Sequence, residues 1–180
     1  MKQSVPHLIF VLTALVTLYS CSGDSEVEKP IKWSTEQSTT MNKQFSAEEE
    51  VDINLFLSRK QEWNMTKTGS GLRYFIYENG AGEKALPEEY VDVEYTITLV
   101  DGTECYATAK DEVEEFKVDK AQVESGIQEG IKQMRQGDKA ILVIPSHLAH
   151  GIVGDMSKIP PLSTLIVDIT LVKIYRTKHV

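Results

Sequence analysis

His147 and His150 stand three residues apart in Ser146-His147-Leu148-Ala149-His150-Gly151, and the 180-residue chain has only two other histidines. Two neighbouring imidazoles can share a metal, or one can take a proton while the other gives one. A zinc site takes ~3–4 protein ligands, and the remaining histidines do not supply them: His7 lies in an N-terminal apolar segment and His179 is the penultimate residue. No metal is expected, and His147 reads as an exposed turn residue. Cys105 is the one cysteine in the body of the chain. It could serve as a nucleophile, but a buried cysteine more often acts as a small hydrophobe, and that reading is preferred. No triad and no ligand cluster emerges elsewhere, so any catalysis has to come from a shaped binding site.

The elements that would shape such a site can be read from patterning. Hydrophobic residues make up 41% of the sequence, enough for one core, and the formal charge is −8. That charge argues against general nucleic-acid binding, which needs a basic face to displace phosphate counterions. Met1-Lys2 is followed by an apolar run, Leu8 to Leu18. The run fits a signal-peptide core and falls short of the ~20 residues that span a bilayer. It ends in Leu18-Tyr19-Ser20-Cys21, which resembles the bacterial lipobox. That resemblance implies cleavage after residue 20 and acylation of Cys21; simple secretion with Cys21 retained is the alternative. Several acyl chains on one residue, at ~0.8 kcal/mol per buried CH₂, would hold a domain at a membrane. With Cys21 lipidated, no internal disulfide can form.

Residues 21–45 are polar and aperiodic and read as an acylated tether. Asp24, Glu26 and Glu28 near its start could be a sorting signal or simple solvation. Ser46-Ala47-Glu48-Glu49 has the form of a capping box, so a helical extension is expected over 46–67. Val51 and Leu55, and also Ile53 and Leu57, fall at helical spacing. This helix either packs on its own domain or pairs with a second copy in a dimer. Residues 68–176 then form the main domain. Leu72, Tyr74 and Ile76 alternate with Arg73, Phe75 and Tyr77, and Val91, Val93, Tyr95, Ile97 and Leu99 alternate with polar residues, both strand patterns. Asp101-Gly102 marks a tight turn, and a short strand is expected near Phe116. Val123, Ile127, Ile131 and Met134 predict one amphipathic helix capped by Gly137. Lys139–Ile144 and Thr164–Ile174 predict the last strands. The order implies an α+β domain with one helix against an antiparallel sheet.

Four stretches, "GLRYFIYENGAGEKA", "VDVEYTITLVDGT", "VESGIQEGIKQMRQGDKAILVIPSHLAHG" and "IPPLSTLIVDITLVKI", resemble the FKBP-type peptidyl-prolyl isomerases in order and spacing. The series Gly126, Gly130, Met134, Gly137 is among the most specific pieces. With the lipobox and the helical extension, the chain is similar to gliding-motility-associated lipoproteins of that family. The resemblance implies an antiparallel sheet of five to six strands wrapped around one helix, with the substrate pocket between them. It also implies rotation about X-Pro amides, for which no cofactor and no metal is needed.

Carried across residue by residue, the implied pocket is mixed. Tyr95 stands at an aromatic wall, where a following glycine is replaced by Ile97. Phe116 stands at a pocket phenylalanine, Val123 at a pocket valine and Ile159 at a pocket-edge isoleucine. Glu124 replaces an isoleucine whose backbone N–H meets substrate. The family's Phe-Asp pair is Cys105-Tyr106; Ile127 replaces the floor tryptophan, Val167 a strand phenylalanine, and His150 a tyrosine that donates to bound peptide. Tight binding of the family's macrolide inhibitors is not expected without those aromatics. Two functions follow as expectations. One is a prolyl isomerase that folds proline-containing exported polypeptides from a lipid anchor at Cys21, in a bacterial envelope on the outer-membrane or periplasmic side. The other is a non-catalytic chaperone or assembly subunit of an envelope machine. An open or filled pocket at Cys105, Ile127, His150 and Val167 separates them.

Overall fold

The computed structural model describes residues 34–120 and 122–177. The expected signal segment, the acylation of Cys21 and the start of the tether lie outside these residues. The elements in chain order are helix α1 (Thr35–Leu57), strands β1 (Thr66–Lys67), β2 (Arg73–Glu78), β3 (Tyr90–Leu99), β4 (Glu104–Ala107) and β5 (Glu114–Lys117), helix α2 (Ser125–Ile131), and strands β6 (Lys139–Ile144) and β7 (Leu165–Tyr175). The strands form one antiparallel sheet in the order β1-β2-β6-β7-β3-β4, with β5 also on β3. The α+β expectation holds, with a seventh strand where five to six were expected. The addition is the two-residue β1, which lies inside the stretch read as helical extension.

The sheet has two covered faces. On the inner face Leu142, Ile144, Leu165, Val167 and Ile169 join Ile127, Ile131 and Met134 in the main core. On the outer face Ile141, Val143 and Ile166 form a second cluster with Ile53, against which Phe56, Leu57, Trp63 and Met65 pack. Coverage on both sides is why β6 reads as an unbroken apolar run rather than an alternation. The second half of the N-terminal helix docks on its own sheet through Ile53, which is 1% exposed. Val51 and Leu55, on the other stripe, stay exposed.

Two helix boundaries differ from expectation. α1 begins at Thr35, so Ser46 is mid-helix and part of the stretch read as tether is helical. Glu36, Gln37, Met41, Lys43 and Gln44 lose little side-chain freedom in a helix, Glu36 suits the positive end of the dipole, and the docked second half supplies the costly nucleus. Glu49 does not reach back to a cap: its carboxylate accepts from Ser146 and Thr164. α1 ends at Leu57, before Trp63, which meets Phe56 edge-on at 5.9 Å.

α2 is also shorter than its apolar pattern. Beyond Ile131 the chain tightens into i→i+3 turns, with Gln133 N–H on Gly130 O and Met134 N–H on Ile131 O, both at 2.9 Å. Gly137 caps no helix; it has φ +93° in the turn before β6 and donates to Leu171 O at 2.7 Å. The glycines inside α2 have a packing reason. A Cβ on Gly126 would lie 2.3 Å from the Ile144 side chain, and one on Gly130 2.5 Å from Leu142. Their absence lets α2 lie directly on β6, which fixes its N-terminus beside β3 and β5.

Candidate functional site

A cavity of about 330 Å³ opens between the inner face of the sheet, the N-terminus of α2 and the loop from β6 to β7. β3 contributes Val93, Tyr95 and Ile97; β4 contributes Tyr106; β5 contributes Glu114 and Phe116. Gln122, Val123, Glu124 and Ile127 come from the start of α2 and the residues before it, and His150 and Asp155 from the loop. The floor is apolar because every second residue of β3 points inward, while β4 and β5 pair with separate stretches of its outer edge.

Of the residues picked out by sequence, Tyr95, Tyr106, Phe116, Val123, Glu124, Ile127 and His150 converge on this cavity. Cys105, Ile159 and Val167 do not line it. They are 1%, 3% and 0% exposed, and all three belong to the core beneath. At Cys105 and Val167 a side chain shorter than the aromatic of the resemblance does not reach the cavity, whereas Ile159 keeps the implied residue type and still packs into the core. Val167 sits opposite Ile97 on β3 and Leu142 on β6. Burial, first among the causes, pushes the Cys105 thiol above its ordinary value, and its sulfur lies 3.6 Å from Lys158 O. That is the setting of a structural thiol rather than a nucleophile.

The rim is acidic, and each carboxylate faces a ring. The Tyr95 hydroxyl donates to Glu114 Oε2 at 2.6 Å. The Tyr106 hydroxyl donates to Asp155 Oδ2. His150 Nε2 lies 2.9 Å from Glu124 Oε1, a contact too poorly aligned to be a hydrogen bond, so this buried ring nitrogen has no hydrogen-bond partner. The Tyr106 hydroxyl, helped by the Ile159 and Ser157 N–H groups, holds the Asp155 carboxyl down at about 2. Those two amides donate to Oδ1 at 2.7 and 2.8 Å. Burial and then the Glu114 contact push the Tyr95 hydroxyl well above the usual phenol range. Tyr95 and Tyr106 are therefore committed donors, and His150 is the uncommitted one.

Asp155 and Glu114 escaped the sequence reading. At Tyr106 the resemblance led to expect an aspartate, and the structure puts a carboxylate beside it from a different element. The signal was local: an aspartate just after Gly154 and two residues before a serine is a turn-forming pattern. Gly154 has φ +72°, and a Cβ there would stand 2.3 Å from Ile159 O. His147 is exposed, as expected, and its Nε2 lies 2.9 Å from Ser70 O on the β1–β2 loop. Among the described residues no cluster of three or more His, Cys, Asp or Glu could hold a metal.

A larger groove of about 560 Å³ runs between α1 and the segments around Val100 and Ser163. It is an open surface cleft bordered by Glu48, Asp52, Arg59 and Asp101. Size alone does not make it the site. The smaller cavity has the concave apolar floor and convergent polar rim of a binding pocket.

The sequence model of the family described as FKBP-type peptidyl-prolyl cis-trans isomerase matches residues 81–172. Every residue that lines the smaller cavity falls within that range, whereas α1 lies outside it. The chain is similar to the FKBP-type peptidyl-prolyl cis-trans isomerase FkpA of Buchnera aphidicola, 33% identical over 85% of this chain and 62% of that one. It is similar to FkpA of Escherichia coli, 36% identical over 63% of this chain and 42% of that one. The chain thus spans less than two thirds of either relative's length. A solved peptidyl-prolyl cis-trans isomerase from Pseudomonas syringae superposes with a TM-score of 0.59 at 26% identity, over 80% of this chain and 98% of that one. A helix on the inner face of an antiparallel sheet, a pocket at its N-terminus and the sequence match converge on one assignment: the chain belongs to the FKBP-type peptidyl-prolyl cis-trans isomerase family.

Proposed function

We propose that the protein catalyses cis-trans isomerisation of X-Pro bonds in exported polypeptides. The observation that carries this is the cavity, which stays open with an apolar floor even though smaller residues replace three aromatics. Two of the replacements, Cys105 and Val167, withdraw into the core instead of filling it. Rotation about the prolyl amide faces ~18–20 kcal/mol because resonance holds the amide planar. A site that binds the twisted amide better than the planar one lowers that barrier with no bond broken. Val93, Ile97, Phe116 and Ile127 form a water-poor seat for the proline ring, where loss of amide polarity costs least. His150 Nε2 supplies a donor to the peptide. Exchange spectroscopy by NMR on a panel of X-Pro peptides tests this: the domain is expected to accelerate exchange, and no acceleration for any X overturns the isomerase reading.

In the same proposal Cys21 carries the lipid anchor, and the protein works at the outer-membrane or periplasmic side of a bacterial envelope, as a member of the kind associated with gliding motility. Cys21→Ser is expected to move the protein from the membrane fraction to the soluble one; continued membrane retention overturns the anchor. A non-catalytic assembly role draws support from α1, whose residues 35–44 are all exposed and offer a surface to a second copy or an envelope partner. Sedimentation at rising concentration separates these: a dimer that α1 truncation dissolves assigns the surface to a second copy, and a monomer throughout leaves it to a partner.

A further inference from the structure

The loop from Pro145 to Thr164 carries His150 and Asp155 to the cavity, and one carboxylate outside the loop holds both of its ends. Glu49 Oε1 accepts from Ser146 N–H at 2.6 Å and from the Thr164 hydroxyl at 2.7 Å, while Oε2 accepts from the Ser146 hydroxyl at 2.8 Å. Ser146 and Thr164 are 5% and 7% exposed, so these polar groups have given up water for Glu49. The hold extends toward the site. Ser146 O accepts from Gly151 N–H at 2.8 Å, immediately after His150, and Gly151 O accepts from Leu162 N–H at 2.9 Å. Glu49 itself is fixed, because α1 is seated by Ile53 and by Glu50 Oε1 on the buried Arg73 at 2.6 Å.

We propose that Glu49 is a positioning residue for the pocket, through which helix α1 sets the placement of His150 and Asp155. This rests on the isomerase reading for its kinetic consequence but not for its structural one. Charge-assisted bonds to a carboxylate are roughly twice as strong as neutral ones, and this one joins the two mouths of the loop, whereas Ser70, Tyr106 and Ser125 each hold it at a single point along its length. Lifting α1 from the sheet would therefore loosen the pocket, even though α1 lines no part of it.

Amide hydrogen exchange on Glu49→Ala, with Glu48→Ala as control, tests the proposal without needing activity. The expected result is that the Gly151, Ile159 and Leu162 amides exchange about tenfold faster, while those of β3, β6 and β7 keep their protection. In parallel, kcat/KM for X-Pro peptides should fall about tenfold, mostly through KM, because displaced binding groups cost affinity and orientation. Glu48→Ala should change neither. Thr164→Val removes one of the bonds from the loop side and should give a smaller effect of the same kind, which keeps the test available if Glu49→Ala unfolds. Loop amides as protected in Glu49→Ala as in wild type overturn the proposal. So does an exchange increase spread evenly over the sheet, which would make Glu49 a general stability residue. A wild-type protein without isomerase activity would sink the proposed function while the exchange result still judged Glu49.

Discussion

At the scale of single residues, the cavity rim works by pairing rings with carboxylates, and His150 is the member left without a hydrogen bond. Replacing it with Phe keeps the volume and removes the donor. His150→Phe should weaken X-Pro peptide binding about threefold to tenfold, the worth of one net hydrogen bond, with an unchanged melting temperature. Titration by NMR checks this, and an unchanged affinity would assign His150 to packing. Gly126 makes a different kind of demand. A Cβ there meets Ile144 at 2.3 Å, so Gly126→Ala should cost ~1–3 kcal/mol through overpacking, read from denaturant midpoints; a midpoint equal to wild type would mean that α2 can shift freely on β6. The positions carried over from the family resemblance located most of the cavity, because an aromatic or apolar residue at an inward strand position points one way. They failed at Cys105 and Val167, where identity changed but backbone position did not, and reach decides whether a side chain lines a cavity. They failed at Asp155, whose role depends on a hydroxyl 49 residues away in sequence.

At the scale of elements, α1 shows what a local pattern cannot reveal. Its second half is held by contacts with β2, β6 and β7, which no window around residue 50 contains. Glu50 is the clearest case. Hydrogen bonds from Lys67 and then Arg73 hold its carboxyl down to about 2, from an ordinary 4.5. A carboxyl lowered on folding adds stability that is present above its unfolded value and lost as the pH falls toward its folded one. Docking of α1 should therefore weaken between about pH 4.5 and pH 2. Glu50→Gln should lose on the order of 1 kcal/mol already at neutral pH, since the pair is half-open to water, and should vary less than wild type across that window. Exchange of α1 amides against pH checks both, and parallel curves for wild type and variant would contradict the assignment. Strands β2 and β3 were legible because alternation and a one-sided core coincide, and the Asp101-Gly102 turn closes β3 onto β4 as its dipeptide implies. β6 and the ends of both helices were less legible: β6 is covered on two faces, α1 extends beyond its apolar stripe, and α2 stops before its own stripe ends.

At the scale of the whole molecule, charge and pocket point the same way. The chain carries −8, and Glu114, Glu124 and Asp155 all face the cavity, while no lysine or arginine is among the described residues that line it. Lys158, outside the lining, holds its ammonium 5.0 Å over the Tyr106 ring. The tyrosine hydroxyls bonded to Glu114 and Asp155 orient those carboxylates without neutralising them. A peptide cation beside the proline thus enters a negative field focused by a low-dielectric floor. Among peptides that differ only at X in X-Pro, Lys should be isomerised faster than Glu at low salt, by about tenfold in kcat/KM. The gap should narrow when the ionic strength rises from ~0.02 to ~0.5 M, because the Debye length shrinks to the dimensions of the rim. Glu124→Gln removes one of the three charges without touching the floor, so it should reduce the Lys preference while leaving the rate for Leu-Pro near wild type. A Lys-to-Glu ratio near one at low salt would mean that the rim carboxylates are spent on the fold and do not select clients. A ratio that persists at high salt would mean that X is read by contact rather than by field.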